Sequence, residues 1–261
     1  MKVLPTLLAA SVCMSCATYA ADSAIVEITD TQNYVLDQEN QRLADTYARM
    51  LRYYDQRNFS SVRAVRVLMG NYPHHVEPIL YAAFERYPNH YRHIIKAAID
   101  AEPAFTREII SMALSLKVAD PADIVRIAVE AEPSYADTIV ATVDEMDPTQ
   151  FANVVRVAVL TEPQTADGIL RSNRDAEIGK LESILHTVLS SAPTLGSYLV
   201  DTISDLIGFS KTEVAPQNKN KRAIQLIRSA YNSGGLDKSE VQVLAAKHEL
   251  SDEEIKLILG N

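Results

Sequence analysis

An aliphatic pair recurs every fifteen residues through the middle of the chain. Dividing residues 59–208 into ten consecutive blocks of fifteen places an aliphatic residue at the sixth and seventh positions of every block. The sixth positions hold Ala64, Ile79, Ile94, Ile109, Ile124, Ile139, Val154, Ile169, Ile184 and Leu199. The seventh positions hold Val65, Leu80, Ile95, Ile110, Val125, Val140, Val155, Leu170, Leu185 and Val200. Small or apolar residues are also frequent at positions ten and eleven, so these four positions form one apolar stripe of a helix.

Prolines close most of the blocks. Only Val118, Ile178 and Gly208 stand where the other blocks end in proline. The seven closing prolines are Pro73, Pro88, Pro103, Pro133, Pro148, Pro163 and Pro193. Because a proline inside a helix costs about 3 kcal/mol and disfavours helical geometry in the preceding residue, one long helix is excluded. The pattern predicts short helices of about ten or eleven residues, which need packing on neighbours to persist in water.

The blocks resemble each other best at a spacing of thirty residues. Segments 93–103, 123–133 and 153–163 read HIIKAAIDAEP, DIVRIAVEAEP and NVVRVAVLTEP. The predicted unit is therefore a two-helix hairpin, present five times in a right-handed α-solenoid of about ten short helices. Over about 150 residues the pattern resembles the broad class of tetratricopeptide-like and HEAT-like helical repeats, without their consensus or period. The resemblance implies an all-α fold that is stabilised by contacts between neighbouring hairpins and capped at each end.

The flanking segments are predicted to complete the fold. Residues 21–58 contain an acidic, polar segment and a cap helix over residues 37–57, and residues 209–220 lack periodicity and are predicted to be a linker. Residues 221–261 are predicted to form a small helical C-terminal module. Its three predicted helices are Lys221–Asn232, Lys238–His248 and Asp252–Leu259, with capping pairs Asp237/Glu240 and Ser251/Glu254.

The first twenty residues have the features of a secretory signal peptide. Lys2 precedes a short apolar run, and small residues lead to Ala20, after which we expect cleavage. We expect a periplasmic protein, with secretion or lipid anchoring at Cys16 as alternatives. No later stretch has the roughly 18 apolar residues of a membrane-spanning helix, so we expect no transmembrane segment in the mature chain.

The composition and the lack of known motifs argue against catalysis, metal binding and nucleic-acid binding. The cysteines, Cys13 and Cys16, both lie in the predicted signal, so the mature chain would have no thiol for disulfides, metal binding or nucleophilic catalysis. A net charge of −9 without a Lys/Arg-rich block disfavours nucleic acid as a partner. Phosphate loops, nucleophile elbows and zinc-protease motifs are absent from the sequence, so we predict no catalytic residue, no cofactor and no enzyme activity.

The eighth position of alternate blocks holds a cation or a histidine. These residues, called the cationic row below, are Arg66, Lys96, Arg126, Arg156 and His186. Equivalent positions of stacked hairpins lie about 10 Å apart, so the row could bind an acidic protein or an anionic polysaccharide. The alternative is ordinary surface ion pairing with acidic neighbours such as Asp100 and Glu130.

Tyrosines and histidines are concentrated in the first third of the mature chain. Tyr72, Tyr81, Tyr87 and Tyr91 are candidate binding residues because tyrosine offers a large contact surface with a polar tip. The alternative is that the tyrosines fill gaps between the cap helix and the first hairpins. The histidines are His74, His75, His90 and His93, which could hold a divalent metal, although solvated turn histidines are the simpler interpretation and we predict no metal site.

These features predict a non-enzymatic, exported repeat protein that acts as a protein-interaction scaffold or adaptor in the bacterial cell envelope. The alternative is a protein that binds anionic surface or matrix polysaccharide through the cationic row. In either case the partner is predicted to be an envelope protein or an acidic polymer.

Overall fold

The computed structural model describes residues 34–209 and 216–260, and in these ranges all regular secondary structure is helical. The predicted signal peptide, its cleavage site, Cys13 and Cys16 lie outside the described residues. The first seven helices are α1 (Gln38–Gln56), α2 (Ser61–Asn71), α3 (Val76–Arg86), α4 (Tyr91–Ala101), α5 (Thr106–Ser115), α6 (Pro121–Ala131) and α7 (Ala136–Met146). They are followed by α8 (Phe151–Thr161), α9 (Thr165–Ser172), α10 (Ile178–Ser191), α11 (Gly196–Gly208), α12 (Pro216–Asn232), α13 (Lys238–Lys247) and α14 (Asp252–Leu259).

The helices form two layers because each packs against the helix two places further along the chain. One layer contains α1, α3, α5, α7, α9 and α11, and the other contains α2, α4, α6, α8, α10, α12 and α14. Successive helices also contact each other across the layers, so the contacts repeat with every second helix. This arrangement confirms the predicted all-α, solenoid-like repeat fold. The right-handed sense of the stack and its exact number of hairpins stay predictions.

The predicted aliphatic pairs form the interface between the layers. All ten residues at the sixth block position are fully buried or nearly so, and so are nine of the ten at the seventh position, where Val200 is partly buried. Burying each such side chain contributes about 1.5–3 kcal/mol, which stabilises helices that are too short to persist alone. The predicted cap helix is also present as α1, with Tyr47 and Leu51 buried against the stack.

Prolines end the helices as the sequence predicts. Tyr72, for example, leaves helical geometry with φ −136° and ψ 60°, while its N–H still donates to the carbonyl of Leu68 at 2.9 Å. The following proline then starts a single turn of 3-10 helix that leads into the next α-helix. Six of the closing prolines start such a turn: Pro73, Pro88, Pro103, Pro133, Pro148 and Pro193.

A different turn occurs where Val118 replaces the closing proline. Helix α5 ends in left-handed geometry at Lys117, whose φ is 48°. The N–H of Val118 donates to the carbonyl of Ala113 at 3.1 Å, and that of Lys117 to the carbonyl of Leu114 at 3.0 Å. These two hydrogen bonds define a Schellman motif. The chain therefore leaves α5 by a different path from the proline-terminated helices.

The C-terminal helices pack directly on the repeats. Helix α12 contacts α10, α11 and α14, and it begins at Pro216, five residues before the predicted start. Proline suits the first helical turn because its missing N–H would have no partner there. Both predicted capping boxes are confirmed, at Asp237/Glu240 and Ser251/Glu254. Residues 210–215 of the predicted linker lie outside the described residues, and the division of the chain at 209–220 stays a prediction.

Candidate functional site

The two layers of the repeat carry opposite charge. Helices α2, α4, α6, α8 and α10 contain seven Lys/Arg residues and four Asp/Glu residues. Helices α3, α5, α7, α9 and α11 contain three Lys/Arg residues and nine Asp/Glu residues. We call the solvent-facing sides of these two sets the even-helix face and the odd-helix face. Because each layer is covered by the other, the two faces point away from each other and carry fields of opposite sign.

The cationic row lies on the even-helix face, at one position of successive even helices. Its first members form ion pairs. Arg66 and Lys96 both contact the carboxylate of Asp100, Lys96 at 3.4 Å. Arg126 contacts the carboxylate of Asp123 on its own helix and that of Glu130 at 3.6 Å. These three cations therefore show the ordinary surface ion pairing that the sequence left as an alternative.

The carboxylate of Asp123 on this face accepts hydrogen bonds from several side chains. Burial alone would raise its pKa, but hydrogen bonds from the Tyr91 hydroxyl, at 2.8 Å, and from Arg126 outweigh burial. The pKa of Asp123 is consequently lowered from its ordinary value. The charge of Arg126 is thus already matched by well-held anions within the chain.

Arg156 differs from the earlier members of the row because the three positions that hold their carboxylate partners are uncharged around it. Asn153 and Leu160 stand where Arg126 has Asp123 and Glu130, and Ser190 stands where Arg66 has Asp100 on the next even helix. The guanidinium of Arg156 donates to the Oδ1 of Asn153 at 2.7 Å, and Arg156 forms no ion pair with any described residue. Leu160, one turn away on α8, is 60% exposed. A cation without an internal counter-charge therefore lies beside an exposed apolar side chain.

His186, the last member of the row, contacts the C-terminal helices. Its Nδ1 lies 2.8 Å from the Oγ of Ser233, which follows α12. This contact places the end of the row beside the junction between the repeats and α12.

Most of the candidate tyrosines serve the packing of the cap helix and the first hairpins. The Tyr87 hydroxyl donates to Asp55 of α1 at 2.5 Å, and burial together with this hydrogen bond raises the pKa of Tyr87 to about 12. Tyr91 donates to Asp123, as described above. Tyr72 is 44% exposed and its ring stacks on His75 with the centroids 6.1 Å apart. Tyr81 is the exception, since it lines a cleft.

Three of the four clustered histidines have partners outside the cluster, and the ring of His93 meets that of His90 edge-on, with the centroids 6.2 Å apart. The Nδ1 of His75 lies 2.5 Å from the Tyr47 hydroxyl, and that of His90 lies 3.1 Å from the Ser61 hydroxyl. The ring of His74 meets Phe105 edge-on, with the centroids 5.7 Å apart. Across residues 34–209 and 216–260, the structure brings together no group of three or more His, Cys, Asp or Glu side chains that could hold a metal ion.

The cleft lined by Tyr81 opens at the C-terminal ends of α3 and α5. Its volume is about 340 Å³, and its lining residues are Tyr81, Phe84, Glu85, Pro88, Leu116, Lys117 and Val118. Leu116, Lys117 and Val118 belong to the Schellman turn that replaces the usual proline turn. Of the lining residues, the sequence singled out only Tyr81 as a candidate for binding, although Val118 is one of the three positions at which the closing proline is missing.

Comparison of the chain with protein-family models, with curated proteins and with solved structures finds no match. Among the described residues, none of the helices combines the length and the apolar character needed to cross a bilayer.

Proposed function

We propose that this chain is a non-enzymatic, exported scaffold that docks an acidic protein partner on its even-helix face. The observation that carries the proposal is the pairing of Arg156, which lacks a carboxylate partner among the described residues, with the exposed side chain of Leu160. Arg66, Lys96 and Arg126 of the same row are paired with carboxylates of the chain. The loss of three carboxylate positions around Arg156 therefore favours recognition of an external anion.

The chemistry of the pair suits a protein surface. A guanidinium can hold a carboxylate through two parallel hydrogen bonds, and arginine is among the residues that contribute most to protein interfaces. The same contact would bury the exposed side chain of Leu160 away from water, and this burial contributes further to the free energy of binding. A partner would therefore present an Asp or Glu side chain next to an apolar residue.

Binding of anionic polysaccharide is supported less well than binding of protein. A polyanion gains affinity from many uncompensated cations at once, and Arg66, Lys96 and Arg126 are held by carboxylates of the chain. We therefore propose a localised protein contact at Arg156. A polyanion would also lose affinity steeply with added salt, whereas a contact centred on Leu160 would lose less.

Arg126 provides a matched control for testing the proposal. Capture of envelope proteins from extract by the wild-type chain, by Arg156→Ala and by Arg126→Ala should show a retained protein that depends on Arg156. We expect Arg156→Ala to weaken retention about tenfold, which corresponds to about 1.4 kcal/mol, and Arg126→Ala to weaken it less than about twofold. Equal losses in the two variants, or retention unaffected by Arg156→Ala, would overturn the proposal.

A photo-crosslinking amino acid gives an independent measurement on the same face. Placed at position 160, it should form a discrete adduct with a partner protein. At position 130, the equivalent position of the preceding even helix, the adduct should be absent or much weaker. Adducts of equal yield at both positions would contradict docking centred on Arg156 and Leu160.

A further inference from the structure

The cleft on the odd-helix face and the Arg156–Leu160 pair on the even-helix face are chemically complementary. The cleft offers apolar walls from Tyr81, Phe84 and Val118 and a carboxylate from Glu85. The pair offers an exposed apolar side chain and a guanidinium. Each surface therefore presents an apolar group beside a charge, and the two charges are of opposite sign.

Glu85 is the charged group of the cleft that can accept a guanidinium. Its side chain is exposed and forms no ion pair with any described residue. The adjacent Arg86 is already engaged, because its Nε donates to Asp55 at 2.6 Å. Lys117, which also lines the cleft, is engaged in a contact of its own within the chain. An incoming cation would therefore find its counter-charge at Glu85.

The spacing of the groups allows both contacts to form together. Arg156 and Leu160 are four residues apart on α8, so they lie on one face of the helix with their Cβ atoms about 5–6 Å apart. Glu85 directly follows Phe84 on α3, and Phe84 is only 5% exposed. Glu85 and the apolar residues line the same cleft, so its carboxylate borders the apolar wall, and one approach can seat Leu160 in the cleft with Arg156 at Glu85.

We infer that the cleft takes a second copy of this chain, through its Arg156–Leu160 pair. The excess of cations on the even helices and of carboxylates on the odd helices extends the complementarity beyond the two contact points. The contact joins two different surfaces, so it is heterologous, and repetition produces a ring or an open filament of copies. The inference rests on the proposed function only in taking Arg156 and Leu160 as a protein-docking surface.

Sedimentation velocity of the purified chain tests the inference. At low salt and at concentrations up to about 1 mM, the weight-average mass of the wild-type chain should rise with concentration. Arg156→Glu and Glu85→Arg should each weaken association at least tenfold, because each sets like charges against each other. Leu160→Ser should also weaken it, without any change of charge. A wild-type chain that stays monomeric over this range would overturn the inference.

The decisive experiment mixes the two charge-reversal variants, Arg156→Glu and Glu85→Arg. In the mixture, every contact between unlike copies again sets a cation at one surface against an anion at the other, so association should return. Arg126→Glu and Glu145→Arg, at the equivalent positions of α6 and α7, should leave wild-type association unchanged. Failure of the mixture to associate, or loss of association in the two controls, would refute the contact.

Failure of self-association and failure of the proposed scaffold function give different results. A monomeric wild-type chain that still captures an envelope protein through Arg156 would remove the second copy as partner and keep the scaffold proposal. A self-associating chain with no Arg156-dependent envelope partner would do the reverse.

Discussion

Gly196 and Gly235 lie so close that a Cβ atom at position 196 would stand 1.4 Å from the carbonyl oxygen of Gly235. Gly196 is the first residue of α11, and Gly235 lies in the turn after α12. A Cβ at position 235 would in turn stand 2.6 Å from the side chain of Leu189 on α10. The backbone of the C-terminal segment therefore packs on the last repeat at a distance that only glycine allows.

We expect Gly196→Ala to destabilise the chain by at least about 1–3 kcal/mol, since the backbone of the turn must move to admit a methyl group. Urea unfolding followed by circular dichroism measures the effect. Gly70→Ala is the matched control, because Gly70 lies in α2 with no atom near a hypothetical Cβ. Alanine there should stabilise the helix by about 0.5–1 kcal/mol. Equal unfolding midpoints for the two variants would contradict the close packing.

A second attachment of α12 is made by Arg222. Its Nε donates to the carbonyl of Leu206 at 2.8 Å, and its Nη2 donates to the carbonyl of Arg174 at 3.1 Å. Leu206 lies in the last turn of α11, where carbonyls lack partners within the helix. Desolvation by burial lowers the pKa of Arg222. We expect Arg222→Met to cost about 2–4 kcal/mol in the free energy of unfolding, and Arg222→Lys to cost less.

Arg228 on the exposed side of α12 serves as the control for Arg222. Arg228→Met should change the free energy of unfolding by less than about 0.5 kcal/mol. If both methionine variants unfolded at the same denaturant concentration, the hydrogen bonds of Arg222 to the two carbonyls would contribute nothing to stability.

The lowered pKa of Asp123 makes stability depend on pH. A carboxyl whose pKa is depressed in the folded chain stabilises it above the ordinary pKa of about 4, and this contribution is lost as the pH falls through the lowered value. Asp123→Asn should therefore cost about 1 kcal/mol at pH 7. The difference from wild type should shrink when urea unfolding is repeated well below pH 4. A difference that stays constant down to low pH would exclude Asp123 as its source.

The turn after α13 contains a residue in strained geometry. Glu249 is exposed and has a φ of 57°, and the N–H of the next residue, Leu250, donates to the carbonyl of Ala245 at 2.9 Å. Left-handed geometry costs about 1–2 kcal/mol in residues other than glycine. Glu249→Gly removes this cost, but glycine also has a higher conformational entropy in the unfolded chain, which offsets part of the gain. The net effect should be a stabilisation of about 0.5–1 kcal/mol.

Lys247→Gly provides the contrast for Glu249→Gly. Lys247 is the last residue of α13, so glycine there should destabilise the chain by up to about 1 kcal/mol. Thermal unfolding of both variants compares the two effects directly. Destabilisation by Glu249→Gly would show that the left-handed conformation is not the dominant factor at this position.

The sequence by itself determined the elements of the fold and their buried faces. Aliphatic pairs at a fixed spacing and prolines between them depend on local rules, because helical periodicity and the geometry around proline require no knowledge of distant residues. For this reason the short helices, the cap helix, the two capping boxes and the buried residues such as Ile94 and Ile124 are predicted and confirmed.

Tertiary structure decided which surface residues are engaged. Arg66 is paired with Asp100 of the next even helix, and only the packing of α4 beside α2 brings these two side chains together. The cleft at Val118 and the approach of Gly196 to Gly235 likewise depend on where separate turns meet in space. Local sequence preferences set the path of each helix, but the distances between side chains on different helices arise from packing.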